Sequence, residues 1–143
     1  MPDNPPRDQP PLHASTSEAV TKNVRVEVES QYAAEHSQPF QSQWFFYYTI
    51  RITNESSETV QLLTRHWIIT DASGHIEEVR GPGVVGETPV LGPGESFQYT
   101  SGCRLKTSTG VMHGTYQMVL TETGDPFDVE IAPFALFGPY TVH

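Results

Sequence analysis

A chain of 143 residues and 15.9 kDa fits one ordinary domain, large enough to bury about two-thirds of its unfolded surface without metal or disulfide support. Eight Lys+Arg stand against 17 Asp+Glu, a net charge of −9, which argues against nucleic acid and anionic membrane surfaces as partners, because both require a cationic footprint. No apolar run reaches the roughly 20 residues that a bilayer-spanning helix requires, and the single cysteine, Cys103, cannot close a disulfide within the chain, so a reducing, cytoplasmic setting is expected.

Residues 1–21, MPDNPPRDQPPLHASTSEAVT, carry Pro2, Pro5, Pro6, Pro10 and Pro11 among polar side chains. Such a stretch lacks the apolar area that offsets ordering entropy, which predicts a disordered tail. It has neither the basic start nor the apolar stretch of a signal peptide. Residues 22–137 read as one domain, and residues 138–143 as a short C-terminal tail.

From residue 22 the pattern has period two, the signature of strands with one wet face. Val24, Val26, Val28 and Tyr32 share one parity against Arg25, Glu27 and Glu29. Trp44, Phe46, Tyr48, Ile50 and Ile52 then alternate with Phe45, Tyr47, Thr49 and Arg51, and the turn Asn54-Glu55-Ser56-Ser57 follows. Residues 60–70 form a third strand, apolar on both faces around Trp67, Ile68 and Ile69. Asp71-Ala72-Ser73-Gly74 is a turn with glycine where a positive φ is required, and residues 75–80 return as the second arm of a hairpin. The Gly/Pro-rich residues 81–95 predict mostly loop. Phe97, Tyr99, Ser101, Cys103 and Leu105 define a further strand; Met112, Gly114, Tyr116, Met118 and Leu120 another; Phe127, Val129 and Ile131 a last one, which Pro133 forces to be an edge or to bulge. No segment carries a helical period.

About seven strands separated by short turns predict an all-β fold, an immunoglobulin- or fibronectin-type-III-like β-sandwich without the disulfide, with an antiparallel barrel as the alternative. Trp44, Phe46, Tyr48, Tyr99 and Tyr116 are expected in its core.

The block LLTRHWIITDASGHIEEVRGPGVVGETPVLGPGESFQYTSGC at 62–103 is similar to the signature of the bacterial ApaG family. GTYQMV at 114–119 resembles that family's second signature, and VRVEVESQY at 24–32 its opening strand. Neither residues 1–21 nor residues 138–143 belong to the shared pattern. The resemblance implies a fibronectin-type-III-like fold and no established catalytic activity. It further implies an association with magnesium and cobalt homeostasis and, from the domain's occurrence in larger eukaryotic proteins, a role in protein–protein interaction.

Gly81-Pro82-Gly83-Val84-Val85-Gly86 satisfies G-x-G-x-x-G literally. A dinucleotide site requires a helix immediately afterwards, whose N-terminus receives the pyrophosphate. Glu87-Thr88-Pro89 follows instead, so the glycines are read as a tight crossover, or as an anion-binding nest beside Arg65 and Arg80. Asp71, His75, Glu77, Glu78 and His66 offer oxygen and imidazole groups, but without metal-ligand spacing, and no metal or cofactor is expected. Cys103 falls on an apolar parity and is read as inert rather than as a nucleophile served by His113.

These observations place the binding surface at Arg65, His66 and Trp67 together with Arg80, Gly81, Gly83 and Gly86. The expected function is a non-enzymatic binding module for a protein partner. A small anion, phosphate or nucleotide bound by the 80–88 loop is the alternative. A monomer or weak homodimer is expected.

Overall fold

The computed structural model describes residues 14–139, and the alternation in the sequence becomes an alternation of burial along its strands. The strands are β1 (Ala14–Thr21), β2 (Val24–Tyr32), β3 (Trp44–Asn54), β4 (Val60–Asp71), β5 (Ile76–Pro82), β6 (Val90–Leu91), β7 (Ser96–Leu105), β8 (Thr109–Leu120) and β9 (Pro126–Phe137). In β2, Val24, Val26 and Val28 are buried while Glu27 and Glu29 are exposed. The same rule buries Phe46, Ile50 and Ile52 on β3 and Met112, Tyr116 and Met118 on β8. Each of these large apolar side chains contributes about 1.5–3 kcal/mol through removal from water.

The strands form two antiparallel sheets, β1-β2-β3-β7 and β5-β4-β8-β9, with β6 added to β4. The sheets bury their apolar faces against each other as a sandwich. Without β1 and β6, three strands (β2-β3-β7) face four (β5-β4-β8-β9), the arrangement expected for a fibronectin-type-III-like domain. Cys103 is a free, buried thiol.

The sandwich begins earlier than the composition suggests. Residues 14–21, expected as part of a disordered tail, form β1, which pairs along its full length with β2 from Ala14↔Gln31 to Thr21↔Val24. Its side chains are small and hydroxylated, and they serve β9. Ser17 Oγ donates to the Ala132 carbonyl at 2.9 Å. Ser15 Oγ accepts from the Ala135 amide at 3.1 Å, and Thr21 Oγ1 accepts from the Glu130 amide at 3.1 Å. Hydroxyls thus close one side of the sandwich where a periodicity reading looks for apolar side chains. Residues 1–13 of the expected tail, and residues 140–143, lie outside the described residues.

Residues 81–95 are mostly loop, as expected, with brief pairing at two points: β5 continues through Pro82, and β6 pairs Val60↔Leu91 and Gln61↔Val90. Asn54 secures this region from within the core, donating from Nδ2 to the carbonyls of Glu58 at 2.7 Å and Leu91 at 2.9 Å. Trp44 is half-buried rather than a full core residue. Pro133 meets both of its expected settings: β9 is an edge of its sheet, and its register with β8 shifts between Met112 and Gly114, opposite the proline.

Candidate functional site

β4 carries a register shift between Leu62 and Thr64. Beyond it, strand pairing decides which way each side chain points, because residues directly opposite one another share a face. Arg65 lies opposite Gly81 and the buried Tyr116; His66 lies opposite Arg80 and Thr115. Arg65 therefore belongs to the inner face and Arg80 to the outer one. Both nevertheless border one open depression of the surface.

Trp67 follows the inner parity. It is 3% exposed, with its ring edge-on to Tyr48 at 5.4 Å and to Phe134 at 5.9 Å. The expectation of Trp67 on a binding surface is overturned, since the tryptophan is a core side chain between the two sheets.

Arg65 holds the adjoining loop in place. Its Nη1 donates to the carbonyls of Pro82 and Gly83, both at 2.9 Å. Gly81 leaves room for this guanidinium, as a β-carbon there would stand 3.0 Å from Arg65 Nη2. Gly83 has φ +59 and donates its amide to the Leu63 carbonyl at 2.8 Å. Val84 and Glu87 then exchange backbone hydrogen bonds at 2.8 and 2.9 Å around Val85 (φ +42) and Gly86 (φ +82). Two successive positive φ values mark a type I′ hairpin turn, for which glycine is the favoured second residue. The G-x-G-x-x-G block is thus a strand end and a hairpin turn, with no helix to receive a pyrophosphate. The amides of Gly83, Val84 and Glu87 already have backbone partners.

The outer face of β5-β4-β8-β9 carries a different group of side chains. Thr64, His66, Arg80, Thr115, Gln117 and Asp128, together with Arg65, Gly81 and Pro82, surround an open depression of about 730 Å³. A short chain of hydrogen bonds fixes its floor: Thr64 Oγ1 donates to Gln117 Oε1 at 2.8 Å, and Gln117 Nε2 donates to Thr115 Oγ1 at 2.8 Å. His66 Nε2 is 2.8 Å from Glu78 Oε1. Among the described residues the Arg80 side chain has no hydrogen-bond or ion-pair partner. At the β4 irregularity and along the adjoining loop, Leu63, Val85 and Val90 are exposed.

Of the residues singled out in the sequence, Arg65, His66, Arg80 and Gly81 border this depression, while Gly83 and Gly86 shape the backbone beside it. Thr64, Thr115, Gln117 and Asp128 were not anticipated. Their signal is the polar parity of each strand, which becomes a site only through the cross-strand register.

The other reactive side chains are committed elsewhere. Cys103 is buried on the inner face of β7, and burial pushes its thiol up to about 12. His113 lies opposite Ile68, on the outer parity of the other sheet. Asp71 Oδ1 accepts hydrogen bonds from the Ser73 hydroxyl and from the amides of Ser73 and His75, and the hydroxyl above all holds its carboxyl below the ordinary value. Among the described residues no three His, Cys, Asp or Glu side chains are grouped to hold an ion.

The ApaG domain model matches residues 34–120. Protein ApaG of Rhodopseudomonas palustris (strain TIE-1) is 54% identical over 121 residues, covering 85% of this chain and 92% of that protein. Protein ApaG of Rhodospirillum centenum shows the same identity of 54% over 121 residues, with 85% and 92% covered. The crystal structure of the putative ApaA protein from Bordetella pertussis superposes with a TM-score of 0.79 at 51% identity, covering 86% of this chain and 100% of that one.

Proposed function

From the premise that this chain belongs to the ApaG domain family, we propose that it is a non-enzymatic binding module that holds a protein partner on the outer face of β5-β4-β8-β9. The observation that carries this reading is Arg80: an exposed, unpaired guanidinium above a hydrogen-bonded polar floor, on a chain of net charge −9. Such a group is free to form a charge-assisted, bidentate contact with a carboxylate of a partner. Nearby, Leu63, Val85 and Val90 add exposed apolar area of the kind that interfaces bury.

The anion alternative has less support. The Arg65 guanidinium and the amides of Gly83, Val84 and Glu87 are engaged within the loop, so few donors remain for a phosphate. An association of the family with magnesium and cobalt homeostasis would then act through the partner.

Arg80→Ala tests the proposal. It should weaken partner binding by about 1–3 kcal/mol, the scale of a charge-assisted hydrogen bond, and leave the melting temperature unchanged. Unfolding with a proportional loss of binding would instead make Arg80 a structural residue. Pyrophosphate, nucleotides, magnesium and cobalt should leave the melting temperature where it is; a ligand well above its Kd raises it measurably, and a clear rise with one of them would favour the anion reading.

A further inference from the structure

Strand edges expose unpaired amides and carbonyls, and folded proteins usually protect them with charge, proline, irregularity or cover. Three edges of this sandwich are treated in that way. β1 and β9 close on each other through Ser15, Ser17 and Thr21. β5 places Glu77, Glu78 and Arg80 along its length and ends in Pro82. β6 is two residues long, between Pro89 and Pro93.

β7 is the exception. It has ten residues, no proline and one charged side chain, Arg104. Its pairing with β3 runs from Trp44↔Leu105 to Thr53↔Ser96 without a register shift, so the strand is regular and its far edge straight. No described residue of another element hydrogen-bonds to the backbone of that edge.

We infer that the β7 edge is the docking strand for a second copy of this chain: two β7 strands pair antiparallel about a two-fold axis and join two four-stranded sheets into one. Backbone hydrogen bonds supply the attraction, as in strand addition generally, and one patch serves both copies, as a two-fold interface requires.

The charges on the strand favour a second copy as occupant. Glu95 precedes β7, Arg104 lies near its end and Lys106 follows it, while the exposed outer-face residues between them are uncharged. Pairing centred on Thr100 sets Gln98 opposite Gly102 and Arg104 opposite Ser96 of the other copy, one residue along the strand from that copy's Glu95, which meets Leu105. The basic end of each strand then meets the acidic end of the other. No like charges face one another, although each chain carries a net −9. The Arg80 face belongs to the other sheet and stays open in both copies.

Sedimentation equilibrium of the full chain tests the pairing. The wild type should move from 15.9 kDa toward twice that mass with increasing concentration. Thr100→Lys and Thr100→Glu each place like charges at the axis and should weaken association at least about tenfold. An equimolar mixture of the two variants should associate again, because opposite charges then meet. Arg104→Glu, which turns the basic end of the strand acidic where it meets the Glu95 end of the other copy, should weaken association by a similar factor and guards against a folding defect at Thr100, with melting temperatures checking each variant. A wild type that stays monomeric up to about 1 mM, variants that associate as the wild type does, or a mixture that fails to associate would each overturn the inference.

Discussion

The hydroxyls of Tyr99 and Tyr116 meet 2.5 Å apart between the two sheets. Tyr99 comes from β7 and Tyr116 from β8, and both rings are buried, so this contact joins the sheets beneath the strand that carries Arg65. Each hydroxyl satisfies the other within the buried core, and removing one leaves its partner buried and unpaired.

Tyr116→Phe should therefore cost about 1–3 kcal/mol. The double variant Tyr99→Phe/Tyr116→Phe should cost clearly less than the sum of the two single changes, since it strands no hydroxyl. Tyr116→Ala, which also empties part of the core, should cost about 3–5 kcal/mol. Urea unfolding measures all three. Additive single and double effects would show that the hydroxyls do not depend on each other.

Burial pushes the phenols of Tyr48, Tyr99 and Tyr116 upward and raises the Cys103 thiol to about 12. Unfolded tyrosine and cysteine release their protons near pH ~10 and ~8.5. The native state therefore keeps protons that the unfolded chain gives up, and stability falls as pH rises. It should be fully present below pH ~8, decline first through the cysteine and then more steeply above pH ~10 through the tyrosines. Urea midpoints measured across this range check the sign. At pH ~8 the native thiol should also resist alkylation and react only after unfolding, and rapid labelling of folded protein would contradict its burial.

Deleting residues 1–21 removes β1, its ladder to β2 and the hydroxyl contacts to β9. The melting temperature should drop by several degrees, since each kcal/mol corresponds to roughly 2–8 °C in a domain of this size. An unchanged melting temperature would mean that β1 adds nothing to the sandwich.

β2, β3, β7 and β8 were legible because one face of each is apolar and the other polar, a purely local signal. β1 was not, because Ser15, Ser17 and Thr21 stabilise it through hydrogen bonds to a strand more than a hundred residues away. The candidate site divides in the same way. Gly81, Gly83 and Gly86 announce a tight backbone in any reading of the sequence. Whether Arg65 and Arg80 share a face depends on the pairing of β4 with β5, and the irregularity between Leu62 and Thr64 resets the parity of β4 just ahead of Arg65. Trp67 misled for a related reason: Ile68 and Ile69 make both parities of β4 apolar, so composition alone does not say which one turns inward.

Arg65 and Arg80 should therefore differ under mutation. Arg65→Ala removes the donor to the Pro82 and Gly83 carbonyls and should destabilise the protein by about 1–3 kcal/mol. The Gly83 amide, bonded to the Leu63 carbonyl, should exchange with solvent faster as the loop loosens. An Arg65→Ala protein with native stability and unchanged exchange at Gly83 would remove the arginine's structural role.

The most direct test of the binding surface compares proteins captured from a source-cell extract on wild-type bait, on Arg80→Glu bait and on a control bait carrying Glu29→Lys on the exposed face of β2 in the other sheet, all with matched melting temperatures. Charge reversal at the centre of an interface typically removes well over tenfold in affinity. The account predicts at least one protein that the wild type and the control retain and that Arg80→Glu loses. Identical sets of captured proteins on all three baits would contradict it and place any binding surface away from Arg80.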